Sequence, residues 1–319
     1  MAEKQPSDLP AGHAAIIGTG MIAVSMAVLL TGHGVRTTML ARSDESAGRA
    51  KTGFMQYGQD LVDSGLLNQA QAARFLERLT VTRNWADLAA VDFIIESVYE
   101  QLDVKHDVYR QIEQVCRPDV IIASMTSGIG PDQLAEGLVH KSRLIVAHPF
   151  MPPHLIPCVE IVRSAHTSDE TLTATVRLFK LLDREPIVLK KSIDGFIVNR
   201  IQYAMLREAI NLIEQGVASA EDIDQTLLTS IGPRYSAIGL FEHMENAGLD
   251  LVAGIQGYLN PTLCNATGVQ PSLKIHVDAG EFGSKSGHGY LDWSTKDLNE
   301  LRKRRTEPYI RFFNWTVPD

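Results

Sequence analysis

The sequence contains few cysteines. Three of them, Cys116, Cys158 and Cys264, stand far apart in a chain of 319 residues. An odd number of widely spaced cysteines does not make a disulfide framework, and reduced thiols are typical of the cytoplasm. We therefore expect a cytoplasmic protein without structural disulfide bonds.

Long apolar runs and an excess of basic charge are also absent from the sequence. No run reaches the roughly 18 apolar residues that a membrane-spanning helix needs. The first residues, with Glu3, Lys4 and Asp8, lack the apolar core of a secretory signal. The formal net charge is -8, whereas nucleic acids and anionic membranes attract basic faces. We therefore expect neither nucleic acid nor a membrane as a partner, and no metal site is predicted.

A chain of 319 residues exceeds the size of one comfortable core, so two domains are expected. Short apolar runs alternate with helical patterns as far as Leu189, which predicts an α/β domain with a doubly wound, mostly parallel sheet. The pattern then becomes almost wholly helical. We place the sheet domain at residues 1–192 and a smaller all-helical domain at residues 193–319, with the hinge at Lys190–Gly195.

A glycine-rich turn follows the first predicted strand, Ala14–Ile17, and leads into an apolar helical run. Strand, glycine turn and helix in this order form the Rossmann dinucleotide-binding pattern. Gly18 permits the turn, Gly20 lets a pyrophosphate approach the backbone, and Ala23 lets helix and strand pack closely. The predicted phosphate-binding residues are Gly18, Gly20, Met21, Ile22 and Ala23.

The end of the second predicted strand, Thr37–Ala41, bears on the choice of nucleotide. Folds of this kind usually carry an acidic residue there for the adenosine ribose, whereas this chain has Ala41 followed by Arg42. A small residue followed by a guanidinium can accept a 2′-phosphate, which an acid would repel. The residues therefore favour NADP slightly over NAD, although Asp44 could reach a ribose and keeps NAD open.

A histidine and a glutamate stand on two neighbouring predicted strands. His148 follows the apolar run Leu144–Ala147, and Glu160 lies within the next run, Cys158–Val162. A carboxylate beside the imidazole would fix its tautomer and support its charged form, as in a general base with an orienting acid. Ser127 ends an earlier run and would reach the same rim. We predict that these three residues are catalytic; the alternative is a hydrogen-bonded structural histidine.

These motifs resemble the 3-hydroxyacyl-CoA dehydrogenase family along nearly the whole chain. Two further segments carry the resemblance, Asp194–Arg200 and Gly283–Tyr290. In that family a His–Glu pair at this spacing transfers the proton, and NAD is the usual cofactor. A serine that matches Ser127 binds the reacting oxygen.

The resemblance also implies roles for residues that spacing alone would not single out. Asn199 matches an asparagine that helps to place the substrate carbonyl. Glu100 and Lys105 match positions that contact the nicotinamide half of the cofactor, although a surface pair at the start of a helix is the alternative. A homodimer through the helical domain is implied as well, because an exposed apolar helix face needs a partner.

Departures from the family pattern concern the substrate. Met125 and Met151 stand where the family usually has asparagine, so we expect a more apolar pocket with altered polar recognition. The helical segment from Glu45 to Leu79 is lysine-rich in the acyl-CoA enzymes, but here it contains one lysine, Lys51. This poor cationic lining weakens the case for a CoA thioester.

Arg234, followed by Tyr235, is the most informative residue for the substrate. Acyl-CoA enzymes have no arginine there. The branch of the family that acts on free acids, gulonate 3-dehydrogenase with its lambda-crystallin relatives and carnitine dehydrogenase, carries an arginine followed by an aromatic residue. A guanidinium can bind a free carboxylate in a bidentate way; the alternative is a structural ion pair with Glu242. The chain also resembles a vitamin B6 catabolic dehydrogenase, whose flat pyridine substrate the methionines would suit.

We therefore predict an NAD(P)-dependent dehydrogenase that acts on the CH–OH group of a hydroxy acid or on the corresponding keto acid. The predicted catalytic residues are His148, Glu160, Ser127 and Asn199, and the predicted substrate-binding residues are Ser127, Met125, Met151, Asn199 and Arg234. Two alternatives stay open. One is a short-chain 3-hydroxyacyl-CoA dehydrogenase acting on a CoA thioester, and the other is a non-catalytic, nucleotide-binding crystallin-like protein.

Overall fold

An eight-stranded sheet organises the first part of the chain. The computed structural model of the protein describes residues 12–313, apart from the side chain of Phe75. The strands are β1 (His13–Ile17), β2 (Arg36–Leu40), β3 (Leu79–Thr82), β4 (Phe93–Glu96), β5 (Ile121–Ser124), β6 (Leu144–Pro149), β7 (Cys158–Arg163) and β8 (Glu185–Val188). Their order across the sheet is β3-β2-β1-β4-β5-β6-β7-β8. Neighbours run parallel except for β6 and β7. The predicted doubly wound, mostly parallel sheet is confirmed.

Helices cover both faces of this sheet, because its strands are apolar on both faces. In β1, Ala14 and Ile16 belong to one core cluster, whereas Ala15 and Ile17 belong to another, as side chains that alternate across a strand should. The helices are α1 (Met21–Gly32), α2 (Asp44–Asp63), α3 (Gln69–Arg78), α4 (Leu102–Val115), α5 (Pro131–Ala135) and α6 (Asp169–Leu181). Helices α1, α2 and α6 pack in the first cluster, and α4 and α5 in the second.

The segment from Glu45 to Leu79, predicted as helix with a break, forms α2 and α3 and ends in strand β3. The hydroxyl of Ser43 accepts a hydrogen bond from the Ser46 N–H and so caps α2, as expected for serine at a helix N-cap. The strand β3 was not predicted. It is only four residues long, and its pairing with β2 is a long-range contact that local pattern does not reveal.

The chain divides into two compact units. The first, the sheet unit, comprises the residues up to Phe196 together with those from Lys303 onwards. The second, the helical unit, comprises Ile197–Arg302. The predicted boundary between residues 192 and 193 lies close to this division. The prediction differs at the C-terminal end, which it assigned wholly to the helical domain. Tyr309 and Phe313 pack against the first core cluster, which explains why the end of the last helix groups with the sheet.

The helical unit contains one long helix and several short ones. They are α7 (Val198–Glu214), α8 (Ala220–Thr229), α9 (Ile231–Tyr235), α10 (Leu240–Ala247), α11 (Leu249–Leu259), α12 (Pro271–Asp278) and the start of α13 (Leu298–Ile310). A capping box begins α8, where Ser219 and Asp222 exchange hydrogen bonds. Across residues 12–313, no helix has both the length and the apolar character needed to cross a bilayer.

Candidate active site

The turn between β1 and α1 has a backbone that requires glycine. Gly18 has φ 125°, and a Cβ added to it would lie 2.2 Å from the carbonyl oxygen of Ser97. A side chain there would therefore collide with the backbone that follows β4. A Cβ added to Gly20 would meet no atom within 4 Å among the described residues. Gly18 thus allows close packing, whereas Gly20 leaves open space beside the start of α1.

The first turn of α1 suits a phosphate group. Gly20 is the N-cap and offers no side-chain hydrogen bond, and the first turn holds no acidic residue. Its N–H groups and the positive end of the helix dipole then favour an anion. Met21 is exposed, Ile22 is half-buried and Ala23 is fully buried against the sheet. These residues fit the pyrophosphate of a dinucleotide.

The ends of β2 and β3 form the part of the rim predicted to meet the adenosine ribose. The Ala41 N–H donates to the Thr82 carbonyl at 2.8 Å, so Arg42 and Arg83 follow two adjacent strand ends. Nη1 of Arg83 donates to Oδ2 of Asp44 at 3.0 Å. The sequence prediction misses Arg83, because it does not contain β3. The guanidinium groups of Arg42 and Arg83 and the carboxylate of Asp44 therefore belong to the same part of the rim as Ala41.

His148 and Glu160 are direct partners across the antiparallel pair β6 and β7. Opposite residues in such a pair project from the same face, and Nδ1 of His148 lies 2.9 Å from Oε2 of Glu160. A carboxylate only accepts hydrogen bonds, so Nδ1 carries the proton and Nε2 of the neutral ring has the lone pair. The two residues are 6% and 1% exposed. The structure thus brings the predicted pair together in the tautomer that a base acting through Nε2 requires.

Two aromatic rings lie close to the histidine. The ring centroids of Phe150 and Phe196 lie 4.7 Å and 5.5 Å from that of His148. Contact with these rings and the hydrogen bond to Glu160 restrict the orientation of the imidazole. The histidine and the glutamate both lie towards the sheet edge at which β6 ends.

Ser127 lies in the loop after β5 and is exposed. Its N–H donates to Oε1 of Glu100 at 2.9 Å, and the hydroxyl of Thr126 donates to the same oxygen. Burial alone would raise the pKa of Glu100, but the hydrogen bond from Thr126, the charge of Lys105 and the Ser127 N–H outweigh it and lower that pKa. Lys105 is 1% exposed. Glu100 and Lys105 do pair, at 3.2 Å, but the lysine of this pair is buried rather than on the surface, and a role of the two residues in cofactor binding stays a prediction.

Glu96, at the end of β4, was not predicted and is fully buried. Its Oε1 accepts from Nζ of Lys105 at 2.8 Å and from the Val98 N–H at 2.9 Å. Its Oε2 accepts from the hydroxyls of Tyr109 at 3.0 Å and Ser124 at 2.6 Å. Four donors from three elements therefore converge on one carboxylate. The sequence gives only a weak indication of this role, an acidic residue that ends an apolar strand.

The two methionines at the family's asparagine positions have different surroundings. Met125 is 8% exposed and packs in the first core cluster. Met151, which follows β6, is half-buried. Their predicted role in lining a substrate pocket stays a prediction.

The segment 150–157 between β6 and β7 is anchored to α1 by His154, another residue that was not predicted. The ring Nδ1 of His154 lies 2.7 Å from Oγ of Ser25, and the backbone N–H of His154 donates to the same oxygen at 3.2 Å. Burial and the nearby charge of Arg184 lower the pKa of His154 to about 3. Nη1 of Arg184 donates to two carbonyls of the same segment, at 3.1 and 3.2 Å. The connection between His148 and Glu160 is therefore fixed from two sides.

Asn199 and Arg234 belong to the helical unit. Asn199 is half-buried near the start of α7. Arg234 is exposed in α9, and its Nη1 contacts Nε2 of His243 at 3.1 Å. The alternative of an ion pair with Glu242 is wrong for the described residues. Glu242 and His243 are successive residues of α10 and point about 100° apart, and it is His243 that contacts the guanidinium.

The doubly wound sheet and the glycine turn that fits a pyrophosphate define a dinucleotide-binding domain. Sequence comparison gives the family. The 3-hydroxyacyl-CoA dehydrogenase NAD binding domain matches residues 13–192, and the 3-hydroxyacyl-CoA dehydrogenase C-terminal domain matches residues 195–293. The chain belongs to the 3-hydroxyacyl-CoA dehydrogenase family.

Individual relatives include a pyridine carboxylate dehydrogenase, L-carnitine dehydrogenases and lambda-crystallins. The chain is 32% identical over 297 residues to 5-formyl-3-hydroxy-2-methylpyridine 4-carboxylate 5-dehydrogenase of Mesorhizobium japonicum, which covers 93% of this chain and 95% of that protein. It is 39% identical over 221 residues to an L-carnitine dehydrogenase of a Pseudomonas species, with coverages of 68% and 66%. A crystal structure of a 5-formyl-3-hydroxy-2-methylpyridine 4-carboxylic acid 5-dehydrogenase, described as an NAD+ dependent dismutase, matches with a TM-score of 0.85 and 30% identity over 94% of this chain and 96% of that one.

Proposed function

We propose that the protein transfers a hydride between NAD(P) and the alcohol carbon of a hydroxy acid that carries a free carboxylate. The observation that carries this proposal is the 2.9 Å contact between His148 and Glu160. The pair lies near the C-terminal end of β6, in a sheet whose glycine turn fits a dinucleotide. In doubly wound sheets, ligands bind at the carboxyl ends of the strands, so a base there has access to a bound substrate.

In this proposal Nε2 of His148 removes the hydroxyl proton when the alcohol is oxidised. Glu160 stabilises the imidazolium that results, because its carboxylate already holds Nδ1. The bound nicotinamide supplies the hydride acceptor at C4. Ser127 and Asn199 hold the reacting oxygen, as the family resemblance implies. In the reverse direction His148 acts as the acid.

A free acid, rather than a CoA thioester, is the substrate we favour. Arg234 is exposed, and its Nη1 contacts the side chain of His243 rather than a carboxylate, so its charge is open to an anionic ligand. Lys51 is the single lysine of α2 and α3, which leaves little cationic lining for the nucleotide end of CoA. The names of the pyridine 4-carboxylate and carnitine dehydrogenases support the same choice.

Membership of the family supports NAD as the cofactor, whereas NADP stays a prediction from Ala41 and Arg42. The matched domain is an NAD binding domain, and the structural relative is described as NAD+ dependent. Arg83 adds a second guanidinium to Arg42 at the strand ends, which supports a 2′-phosphate. Asp44, which accepts from Arg83 at 3.0 Å, opposes it. Rates with the two nucleotides decide between them.

We further propose a homodimer formed by the helical unit. In α7 the single buried residue is Ile210, and α8, α10, α11 and α12 contain none among the described residues. Large apolar side chains such as Phe241 and Tyr258 are 79% and 68% exposed. Apolar surface of this extent is typical of an association face. Light scattering of the purified protein should give twice the chain mass; the mass of one chain would contradict this part of the proposal.

A substrate panel tests the proposed activity. Hydroxy acids, including pyridine-ring alcohols with a carboxylate, are offered with NAD and with NADP, and the reduced nicotinamide is followed by absorbance. CoA esters are added as competitors. Turnover of free acids that CoA esters do not inhibit supports the proposal. Turnover of 3-hydroxyacyl-CoA esters alone would replace it with the acyl-CoA activity, and nucleotide binding without turnover on either class would favour a non-catalytic protein.

A further inference from the structure

We propose that Glu96 is a positioning residue that fixes the loops after β4 and β5 in one relative arrangement and thereby sets the place of Glu100 and Ser127. This inference rests on the proposed function, because those loops would meet the cofactor only if the sheet edge binds one. The loops lie at the carboxyl ends of parallel strands, which is the edge where such sheets bind ligands.

The surroundings of Glu96 tie three elements to one another. Lys105 and Tyr109 approach from α4, and Ser124 approaches from the end of β5. The fourth donor, the Val98 N–H, belongs to the loop after β4 itself. A carboxylate has about four acceptor positions, and all four are occupied here. Because Glu96 is fully buried, water cannot replace a partner that is lost.

Lys105 links the buried Glu96 to the more exposed Glu100. Its Nζ lies 2.8 Å from Glu96 and 3.2 Å from Oε2 of Glu100. The lysine side chain is 1% exposed and that of Glu100 is 41% exposed. The ammonium therefore bridges a buried carboxylate and a half-exposed one. Two carboxylates share one ammonium, and Glu100 is the more exposed of the two.

Glu100 then holds the loop after β5. Its Oε1 accepts from the Ser127 N–H at 2.9 Å and from the Thr126 hydroxyl. A continuous path of charged or charge-assisted hydrogen bonds thus runs from Glu96 through Lys105 and Glu100 to Ser127. Such bonds are stronger than neutral ones, and buried networks of this kind hold one geometry when every group is satisfied.

The chain offers a matched control in Glu113. This carboxylate is 13% exposed, accepts from the N–H groups of Val139 and His140 at 3.1 and 2.9 Å, and pairs with Arg143 at 3.4 Å. It is a partly buried, multiply bonded glutamate of the same helix-and-sheet unit. It lies near the end of α4, and its partners precede β6, at the opposite ends of the strands from Ser127.

The test compares Glu96→Gln with Glu113→Gln in the full-length protein. Fluorescence titration with NADH, thermal unfolding and steady-state kinetics are measured for each. We expect both variants to lose stability, but only Glu96→Gln to raise the Kd of NADH, by about tenfold, as expected when one charge-assisted hydrogen bond is misplaced. Tyr109→Phe removes one hydrogen-bond donor to Glu96 and leaves every charge in place. It should also raise the Kd of NADH, but by less than Glu96→Gln does.

A double variant separates positioning from general damage. If Glu96 acts through Glu100, Glu96→Gln combined with Glu100→Gln should bind NADH about as weakly as the weaker single variant. Additive losses, or an equal rise in Kd for Glu113→Gln, would overturn the inference. So would an unchanged Kd in Glu96→Gln. Failure of the wild type to turn over any hydroxy acid would instead contradict the proposed function, because NADH binding is read independently of turnover.

Discussion

The two units of the chain differ in how their apolar residues are covered. In the sheet unit, strands and helices bury two core clusters on opposite faces. In the helical unit, Ile210 is the single large apolar residue that is buried among residues 197–302. The sheet unit therefore has the rigid core that the proposed catalytic pair needs, whereas the helical unit has surfaces suited to binding and association. We expect variants of the first to affect the chemical step and variants of the second to affect recognition.

The largest effect should come from the sheet unit. His148→Gln removes the proposed base, and kcat should fall about 10²- to 10⁴-fold, the usual contribution of proton transfer. The Kd of NADH, measured by fluorescence, should hardly change, because the glycine turn is untouched. His140→Gln is the control, since His140 is exposed before β6. Full turnover in His148→Gln would remove this residue from the mechanism.

A smaller effect of a different kind is expected from the helical unit. Arg234→Met should raise the KM of a free hydroxy acid about 10- to 100-fold, the value of a hydrogen bond to a charged group, with little change in kcat. Arg207→Met, at another exposed arginine of the unit, should leave KM as it is. If Arg234→Met lowered kcat and spared KM, the contrast between the two units would be lost.

The pH dependence of stability should also reside in the sheet unit. Burial lowers the pKa of His154 to about 3, so the unfolded chain binds this proton more tightly than the folded one. Stability is complete above the unfolded pKa near 6.5 and falls as the pH drops towards 3. From pH 7 to pH 5 the loss attributable to this group is about 2 kcal/mol. Urea unfolding of His154→Gln should show a correspondingly flatter pH profile; an unchanged profile would contradict the buried neutral ring.

The smallest effect concerns the nucleotide. Arg42→Ala should reduce kcat/KM with NADP about tenfold and leave that with NAD nearly unchanged, since a guanidinium contributes mainly through a 2′-phosphate. Arg36→Ala, at the exposed opposite end of the same strand, is the control. Equal losses with both nucleotides would show that Arg42 does not discriminate between them.

Local pattern was enough for much of the sheet unit. Apolar runs predicted seven of its strands, and the glycine turn marked the start of α1. The pairing of His148 with Glu160 was also expected from two neighbouring runs. The antiparallel register that sets them opposite each other is a property of the folded sheet, and the sequence contains no direct sign of it.

The residues that escaped prediction have partners far along the chain. Ser25 and His154 are 129 positions apart, and Glu96 and Ser124 are 28 apart. No sequence spacing relates such distant positions. The sequence alone also does not distinguish a buried glutamate or histidine from an exposed one. Arg83 was missed because it depends on β3. In the helical unit, Arg234 was singled out, but its contact with His243 instead of Glu242 depends on how α10 is turned.

The most direct test of the central claim is whether His148 and Glu160 act as one unit. Single-turnover rates are measured for His148→Gln, for Glu160→Gln and for the double variant, with saturating nucleotide and substrate. We expect the double variant to be no slower than His148→Gln, because in the proposed mechanism the glutamate works only through the histidine. A double variant slowed by the product of the two single effects would contradict it.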